Sequence, residues 1–130
     1  MSANFSKVTN MDSKLKTDIE TIAKHYGPNV QMIKFAEEAA EFSAATLKNV
    51  VYSQLAVEHE EAKGHFDHKW DIASKDSIKE MADVFVLVKQ FEYFASVTPE
   101  FEALLEENMK AKVERQLKRI EEEKKYVEGK

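Results

Sequence analysis

Residues 77–94 read SIKEMADVFVLVKQFEYF, and this stretch decides the fold. Its central run, VFVLV at 84–88, is compatible with a buried strand, but large apolar residues continue through Phe91 and Phe94. That pattern is longer than a strand normally lasts, and its spacing fits a helix over about 77–96. The most apolar part of the chain is therefore predicted to be helical.

The remainder of the chain is also patterned for helices. Glycine and proline are scarce, while the helix-favouring residues Ala, Glu, Lys and Leu are abundant. Apolar spacing predicts a helix over about 12–26, a second over 29–48 that extends with a break toward Lys63, and a last helix that begins at Thr98-Pro99. Gly27-Pro28 is predicted to end the first of these.

Three other segments are predicted to lie outside the principal helices. The stretch Gly64–Asp76 has a turn-forming glycine and little periodicity, so we expect a connecting loop with Phe66 and Trp70 turned inward. Residues 1–11 are expected to form a loose arm, and the highly charged residues 121–130 are expected to fray.

Composition places the chain among soluble, single-domain proteins. Its 130 residues are 43% hydrophobic and 33% charged, without cysteine, and no apolar run approaches the roughly 20 residues that cross a bilayer. We expect one domain over 1–130, all-α, built as a four- to five-helix bundle, in the cytoplasm and not at a membrane. The formal net charge of -5 argues against a nucleic-acid polymer as partner.

Two pairs of acidic residues have a spacing that is typical of a functional site built from carboxylates. Glu38 and Glu41 are three residues apart, as are Glu80 and Asp83, so each pair lies on one face of its helix. Two such helices packed together direct four carboxylates at one place. These oxygens repel one another unless a hard divalent cation joins them, and Mg²⁺ suits that ligand type. The pattern predicts phosphate chemistry.

A structural role for the first pair remains open at this stage. Glu38 and Glu41 share a polar side with Gln31, Lys34 and Lys48, which is typical of a solvated face stabilised by ion pairs.

The second pair is harder to explain structurally. Ser77-x-x-Glu80 fits a capping box at a helix start, which gives Glu80 an ordinary role. Asp83 has no such role, and both acids fall on a side with Val84 and Leu87 that is expected to face the core. An ionised carboxylate there is costly unless it is paired or metal-bound.

The histidines favour no metal site. His59, His65 and His68 lie near several acids, but their spacing matches no helical zinc motif. A solvated loop is the better interpretation.

Both acidic motifs, taken in order, resemble a known family. Residues 25–42, HYGPNVQMIKFAEEAAEF, resemble the opening motif of MazG-like all-α nucleoside triphosphate pyrophosphohydrolases, whose first metal motif is E-x-x-E. Residues 78–87, IKEMADVFVL, resemble the second motif, E-x-x-D followed by an apolar helical run. With the basic segment 112–120, KVERQLKRI, the resemblance covers about residues 25–120 and is greatest to short phage and bacterial members.

The resemblance implies a reaction and a set of ligands. It implies Mg²⁺-dependent cleavage of a nucleoside triphosphate into monophosphate and pyrophosphate, for control or sanitation of nucleotide pools, by a homodimer or homotetramer. The metal, with Mn²⁺ as a substitute, would be held by Glu38, Glu41, Glu80 and Asp83, and Glu37 would take a proton from water. The residues expected to contact substrate are Gln31, Lys34, Asn108, Lys112, Arg115 and Arg119.

The chain departs from the family in one respect, and two other functions stay open. The stretch between Glu41 and Glu80 is longer than usual, so the role of residues 64–76 is not carried over. One alternative is a related phosphoribosyl-ATP pyrophosphohydrolase, which shares the helix-borne acidic pattern. The other is a non-catalytic helical interaction module, in which the acids are surface residues and the last helix pairs with a partner.

Overall fold

A computed structural model describes residues 12–129 as three long α-helices and one short 3₁₀ turn. Helix α1 spans Ser13–Glu58, the 3₁₀ turn Glu60–Ala62, α2 Lys63–Ser96 and α3 Pro99–Glu128. No strand occurs in this range, so the prediction of an all-helical chain is confirmed. The long helices number three rather than four or five, and the predicted N-terminal arm, residues 1–11, lies outside the described residues.

Helix α1 is interrupted at the predicted break, because Gly27 leaves the helical conformation there. Asp12 caps its start, with a carboxylate oxygen 2.8 Å from the backbone nitrogen of Leu15. Gly27 has φ 80° and ψ 167°, a conformation that side-chain-bearing residues rarely adopt, and Pro28 restarts the helix directly after it. Two predicted helices are therefore the two halves of one kinked helix.

The loop predicted for Gly64–Asp76 is wrong, because the segment belongs to α2. The one glycine of the segment, Gly64, costs the helix only about 1 kcal/mol relative to alanine, and residues 64–76 contain no proline. Two ion pairs at i,i+4 spacing run along the segment, Lys63–Asp67 at 2.6 Å and Lys75–Asp71 at 3.0 Å. The actual reversal of the chain is the short 3₁₀ turn before α2.

Two smaller predictions that depended on this loop are also wrong. Trp70 is 43% exposed on α2 and not turned inward, while Phe66 is half-buried. Ser77 lies in the interior of α2 and so cannot cap its start, which removes the capping role suggested for Glu80. The position of Glu80 needs another explanation.

Helices α1 and α2 form an antiparallel hairpin. Side-chain hydrogen bonds join Asn49 to Ser74 at 2.5 Å near the turn and Gln31 to Gln90 at 2.7 Å farther from it. The buried apolar side chains of this hairpin are few and mostly small. They are Ile19, Ala23, Ala56, Ala73, Leu87 and Ala95.

The chain divides into two compact units, residues 1–93 and 94–130. All four predicted ligand carboxylates belong to the first unit. Helix α3 belongs to the second; none of its residues is buried, and it continues through Glu128. It therefore includes most of the segment 121–130, whose fraying stays a prediction. In the described range, no helix has a stretch both long and apolar enough to cross a membrane.

Candidate metal centre

Three predicted ligands meet where α1 and α2 pack together. One carboxylate oxygen from each of Glu38, Glu80 and Asp83 lies within 4.8 Å of the other two. Glu38 is buried, with 7% of its surface exposed, Glu80 is half-buried and Asp83 is exposed. The i,i+3 spacing in α2 and the hairpin register bring the three together.

Glu41 lies beside this group of three, and we call the four residues the carboxylate cluster: Glu38, Glu41, Glu80 and Asp83. Its carboxyl group is close enough to that of Glu80 to affect the pKa of Glu80. Burial raises the pKa of Glu80, and the negative charges of Glu41, Asp83 and Glu38 raise it further. Both effects oppose ionisation of Glu80 when no cation lies in the cluster.

Two oxygens of the cluster have no hydrogen-bond partner. They are Oε2 of Glu38 and Oε2 of Glu80, both buried as atoms. Buried polar groups are normally satisfied, since an unpaired one costs on the order of 1–3 kcal/mol. These two oxygens are therefore available to a bound cation.

Lys34 neutralises part of the cluster. Its ammonium group lies 2.9 Å from Oε1 of Glu38, one helical turn away on α1. This hydrogen bond and the charge of Glu38 raise the pKa of Lys34. Lys34 contacts only this oxygen of Glu38, and within the described residues the other oxygen has no hydrogen-bond partner.

Glu37 lies at the margin of the cluster. Its carboxylate is 3.8 Å from the ammonium group of Lys34, and its side chain is 60% exposed. Water can reach it, as a proton acceptor requires. The proposed role of Glu37 in activating water stays a prediction.

The cluster suits a hard divalent cation. All four groups offer carboxylate oxygens, which Mg²⁺ and Mn²⁺ prefer over the softer ligands of zinc sites. Within residues 12–129, no second set of three His, Asp or Glu residues comes as close together. The histidines near the turn include His59, which lies 3.5 Å from Glu61, and they form no such group.

On one side of the cluster, two side-chain contacts join α1 to α2. The rings of Phe35 and Phe91 meet edge to face, with centroids 5.5 Å apart. Beyond them lies the amide pair, Gln31 and Gln90, in which Nε2 of Gln31 donates to Oε1 of Gln90 at 2.7 Å. Both amides are buried, so this contact fixes the register that aligns the acidic residues.

The other predicted substrate contacts are placed as follows. Gln31 is engaged in the amide pair, which limits its freedom to contact a ligand. Asn108 donates to the carbonyl of Leu104 at 2.8 Å within α3. Lys112, Arg115 and Arg119 are exposed on α3, in the second unit. Substrate roles for all of these residues stay predictions.

Sequence reasoning did not single out Gln90 or Lys79. Gln90 follows Asp83 by seven residues and so lies on the same helical face, but the charged residues Lys89 and Glu92 stand beside it, so the local pattern gave no signal that it is buried. Lys79 lines a cavity that borders Glu80. Its position directly before an acidic motif gave no distinguishing signal.

No protein-family model, curated protein or solved structure matches this chain. The resemblance of residues 25–42 and 78–87 to MazG-like enzymes therefore stays a prediction. The carboxylate cluster is therefore the feature of this chain from which a function can be inferred.

Proposed function

We propose that this chain is a Mg²⁺-dependent nucleoside triphosphate pyrophosphohydrolase, which converts a nucleoside or deoxynucleoside triphosphate and water into the monophosphate and pyrophosphate. The observation that carries the proposal is the carboxylate cluster with its two unpartnered, buried oxygens on Glu38 and Glu80. A folded protein keeps such groups at a cost to stability, which is typical of functional sites.

The residues of the cluster would hold the metal. Glu38, Glu41, Glu80 and Asp83 supply four anionic oxygen donors, and their net negative charge favours a divalent ion over a monovalent one. Mg²⁺ bound there would neutralise charge on the phosphates and lower the pKa of a bound water. The same cluster without a cation would repel a polyphosphate.

Two side chains beside the cluster have distinct tasks in this proposal. Lys34 holds Glu38 in place through its 2.9 Å ion pair and offers positive charge at the margin of the site. Glu37 is exposed and shares Lys34 with Glu38, and in this proposal it accepts a proton from the attacking water. The proton leaves the water as its oxygen bonds to the α phosphorus, and the bridging oxygen between the α and β phosphates departs with pyrophosphate.

Basic residues of α3 are proposed to bind phosphate as well. Lys112 and Arg119 flank Arg115 on exposed turns of that helix, and guanidinium groups match phosphate oxygens in geometry. The resemblance of residues 112–120 to a basic family segment supports this assignment.

Self-association is part of the proposal. Large apolar side chains on the hairpin are strongly exposed, among them Ile33 at 66%, Leu47 at 66% and Phe85 at 59%. Extended exposed apolar surface is typical of chains that associate. We propose a homodimer or homotetramer, which sedimentation velocity distinguishes.

A pyrophosphate-release assay tests the function. The full chain is incubated with each ribo- and deoxyribonucleoside triphosphate and with phosphoribosyl-ATP, with and without Mg²⁺. Release of pyrophosphate and monophosphate only with metal supports the proposal. Exclusive use of phosphoribosyl-ATP assigns the related activity instead. Absence of turnover, together with stability that is insensitive to Mg²⁺, contradicts the enzyme and favours a helical interaction module.

A further inference from the structure

A cavity of about 270 Å³ adjoins the carboxylate cluster on the side nearer the hairpin turn. We call it the alanine cavity, because Ala44, Ala45 and Ala73 leave the space between the two helices open. The rest of its lining is charged. These residues are Lys48, Asp76, Lys79 and Glu80.

The cavity and the metal centre share a wall. Glu80 belongs to both, and on α1 the residues Glu41, Ala45 and Lys48 follow one another at intervals of four and three, which places them on one helical face. A ligand bound at the carboxylate cluster can therefore extend into the cavity without crossing a helix.

Two lysines give the cavity cationic groups from both helices. Lys48 comes from α1 and Lys79 from α2, and both are exposed. Among the described residues neither takes part in an ion pair, whereas Lys34 is held by Glu38 and Lys75 by Asp71. Lys48 and Lys79 can thus turn to an anion without breaking an existing pair.

The lining is unsuited to a nucleobase, and the only groups in it that can bind an anion are the two lysines, which stand beside Asp76 and Glu80. It contains no aromatic ring and no large aliphatic side chain, so it offers nothing for a base to stack on. A second cavity, of about 390 Å³ on the opposite side of the cluster, has that character. It is lined by Tyr26, Val30, Gln31, Ile33, Lys34 and Glu37.

We propose that the alanine cavity binds the β and γ phosphates of the substrate, the part released as pyrophosphate, through Lys48 and Lys79. This inference rests on the proposed function and adds to it the orientation in which the substrate binds. The terminal phosphates point toward the hairpin turn, the α phosphate lies at the carboxylate cluster, and the nucleoside lies toward the Gly27 kink.

The test compares two products as ligands. Binding of pyrophosphate in the presence of Mg²⁺ is measured by calorimetry for the wild-type chain, for Lys48→Ala, for Lys79→Ala and for the double variant. A charge-assisted contact of ordinary strength makes each single variant bind pyrophosphate about tenfold more weakly and the double variant about a hundredfold. Affinity for the nucleoside monophosphate stays within about twofold in the same series, since no monophosphate atom reaches the cavity.

Lys75→Ala is the matched control. Lys75 lies one turn from Lys79 on α2 but is paired with Asp71, so its loss leaves pyrophosphate affinity unchanged. Circular dichroism confirms that all variants keep their helices. Recovery of affinity in Lys48→Arg or Lys79→Arg ties the effect to positive charge.

The outcomes separate this inference from the proposed function. Lysine-dependent binding of pyrophosphate by a chain that hydrolyses no nucleotide supports the cavity assignment and contradicts the enzyme. Normal hydrolysis with unchanged pyrophosphate affinity in the double variant overturns the cavity assignment alone. Failure of the wild-type chain to bind pyrophosphate, or equal losses for pyrophosphate and monophosphate, also overturns it.

Discussion

The hairpin contains two sets of polar side chains, the amide pair and the carboxylate cluster, and they differ in burial and in how they are satisfied. Both amides are buried, whereas in the cluster only Glu38 is. Gln31 precedes Glu38 by seven residues and Gln90 follows Asp83 by seven, so about two helical turns, roughly 10 Å, separate the sets on each helix. The amides bond to each other at 2.7 Å. Two carboxylate oxygens of the cluster have no partner.

That difference distinguishes a structural role from a functional one. The amide pair explains its own burial, because each glutamine supplies a partner for the other and together they fix the register of the hairpin. The cluster places like charges side by side, which raises the pKa of Glu80 and destabilises the fold that contains them. A bound cation would offset this repulsion, and for that reason the cluster, and not the amide pair, is the candidate functional site.

Removal of one cluster carboxylate should produce the largest effect. Asp83→Asn or Glu38→Gln keeps size but removes a charge from the metal ligand set, and we expect pyrophosphate release to fall at least about a hundredfold. Helical content measured by circular dichroism should not change. Near-wild-type turnover of either variant at saturating Mg²⁺ would show that the cluster does not bind the catalytic ion.

Added metal should stabilise the wild-type chain. An ion that binds only the folded state contributes about 2.7 kcal/mol at a hundred times its Kd, so the melting temperature should rise on titration with MgCl₂. Glu41→Gln and Asp83→Asn should show a much smaller rise. Their metal-free melting temperatures should match or exceed the wild type, because one repulsive charge is gone. Calcium-free, EDTA-treated protein serves as the baseline, and an equal rise in all three chains argues against the site.

The amide pair should respond in the opposite sense. Gln90→Leu leaves the buried amide of Gln31 without its partner and should lower the free energy of unfolding by about 1–3 kcal/mol. The double variant Gln31→Leu/Gln90→Leu replaces both amides by apolar groups of similar size and should recover most of that loss. Urea denaturation measures both. If the double variant instead loses the sum of the two single losses in free energy of unfolding, the two amides do not satisfy each other's hydrogen-bonding groups.

The smallest expected effect is a pH dependence from Glu80. A carboxyl group whose pKa is higher in the folded state binds its proton more tightly there, so its contribution to stability is present at low pH and is lost as pH rises through the raised pKa. Without metal, the stability of wild type relative to Glu80→Gln should therefore decrease from the ordinary glutamate value of 4.5 toward neutrality. Melting temperatures of both chains across that range check this, and parallel curves would show that Glu80 carries no such strain.

The acidic residues show what the sequence pattern predicts correctly and what it does not predict. The i,i+3 spacing correctly indicated that each pair shares a helical face, and Glu38, Glu80 and Asp83 do come together. The pattern did not predict the burial of two of them, Asp83 and Glu38. Asp83 was expected toward the core and is exposed, whereas Glu38, for which a solvated face was the alternative, is buried at 7% exposure.

The sequence by itself determined the helices, because the apolar period and the scarcity of helix-breaking residues are local properties. It also located the kink, since Gly27 adopts a φ of 80° and Pro28 suits the first turn of the resumed helix. Periodicity failed over Gly64–Asp76, where one glycine and a polar surface resembled a loop although local ion pairs support a helix.

Only the tertiary structure decided which residues of the two helices face each other. The hydrogen bond between Gln31 and Gln90 spans 59 positions of sequence, and no local pattern encodes such a contact. The same register determines that Glu38 meets Glu80 and that Lys48 and Lys79 border one cavity. Burial, and the raised pKa of Glu80 that follows from it, arises when the helices pack, because desolvation depends on neighbours from the opposite helix.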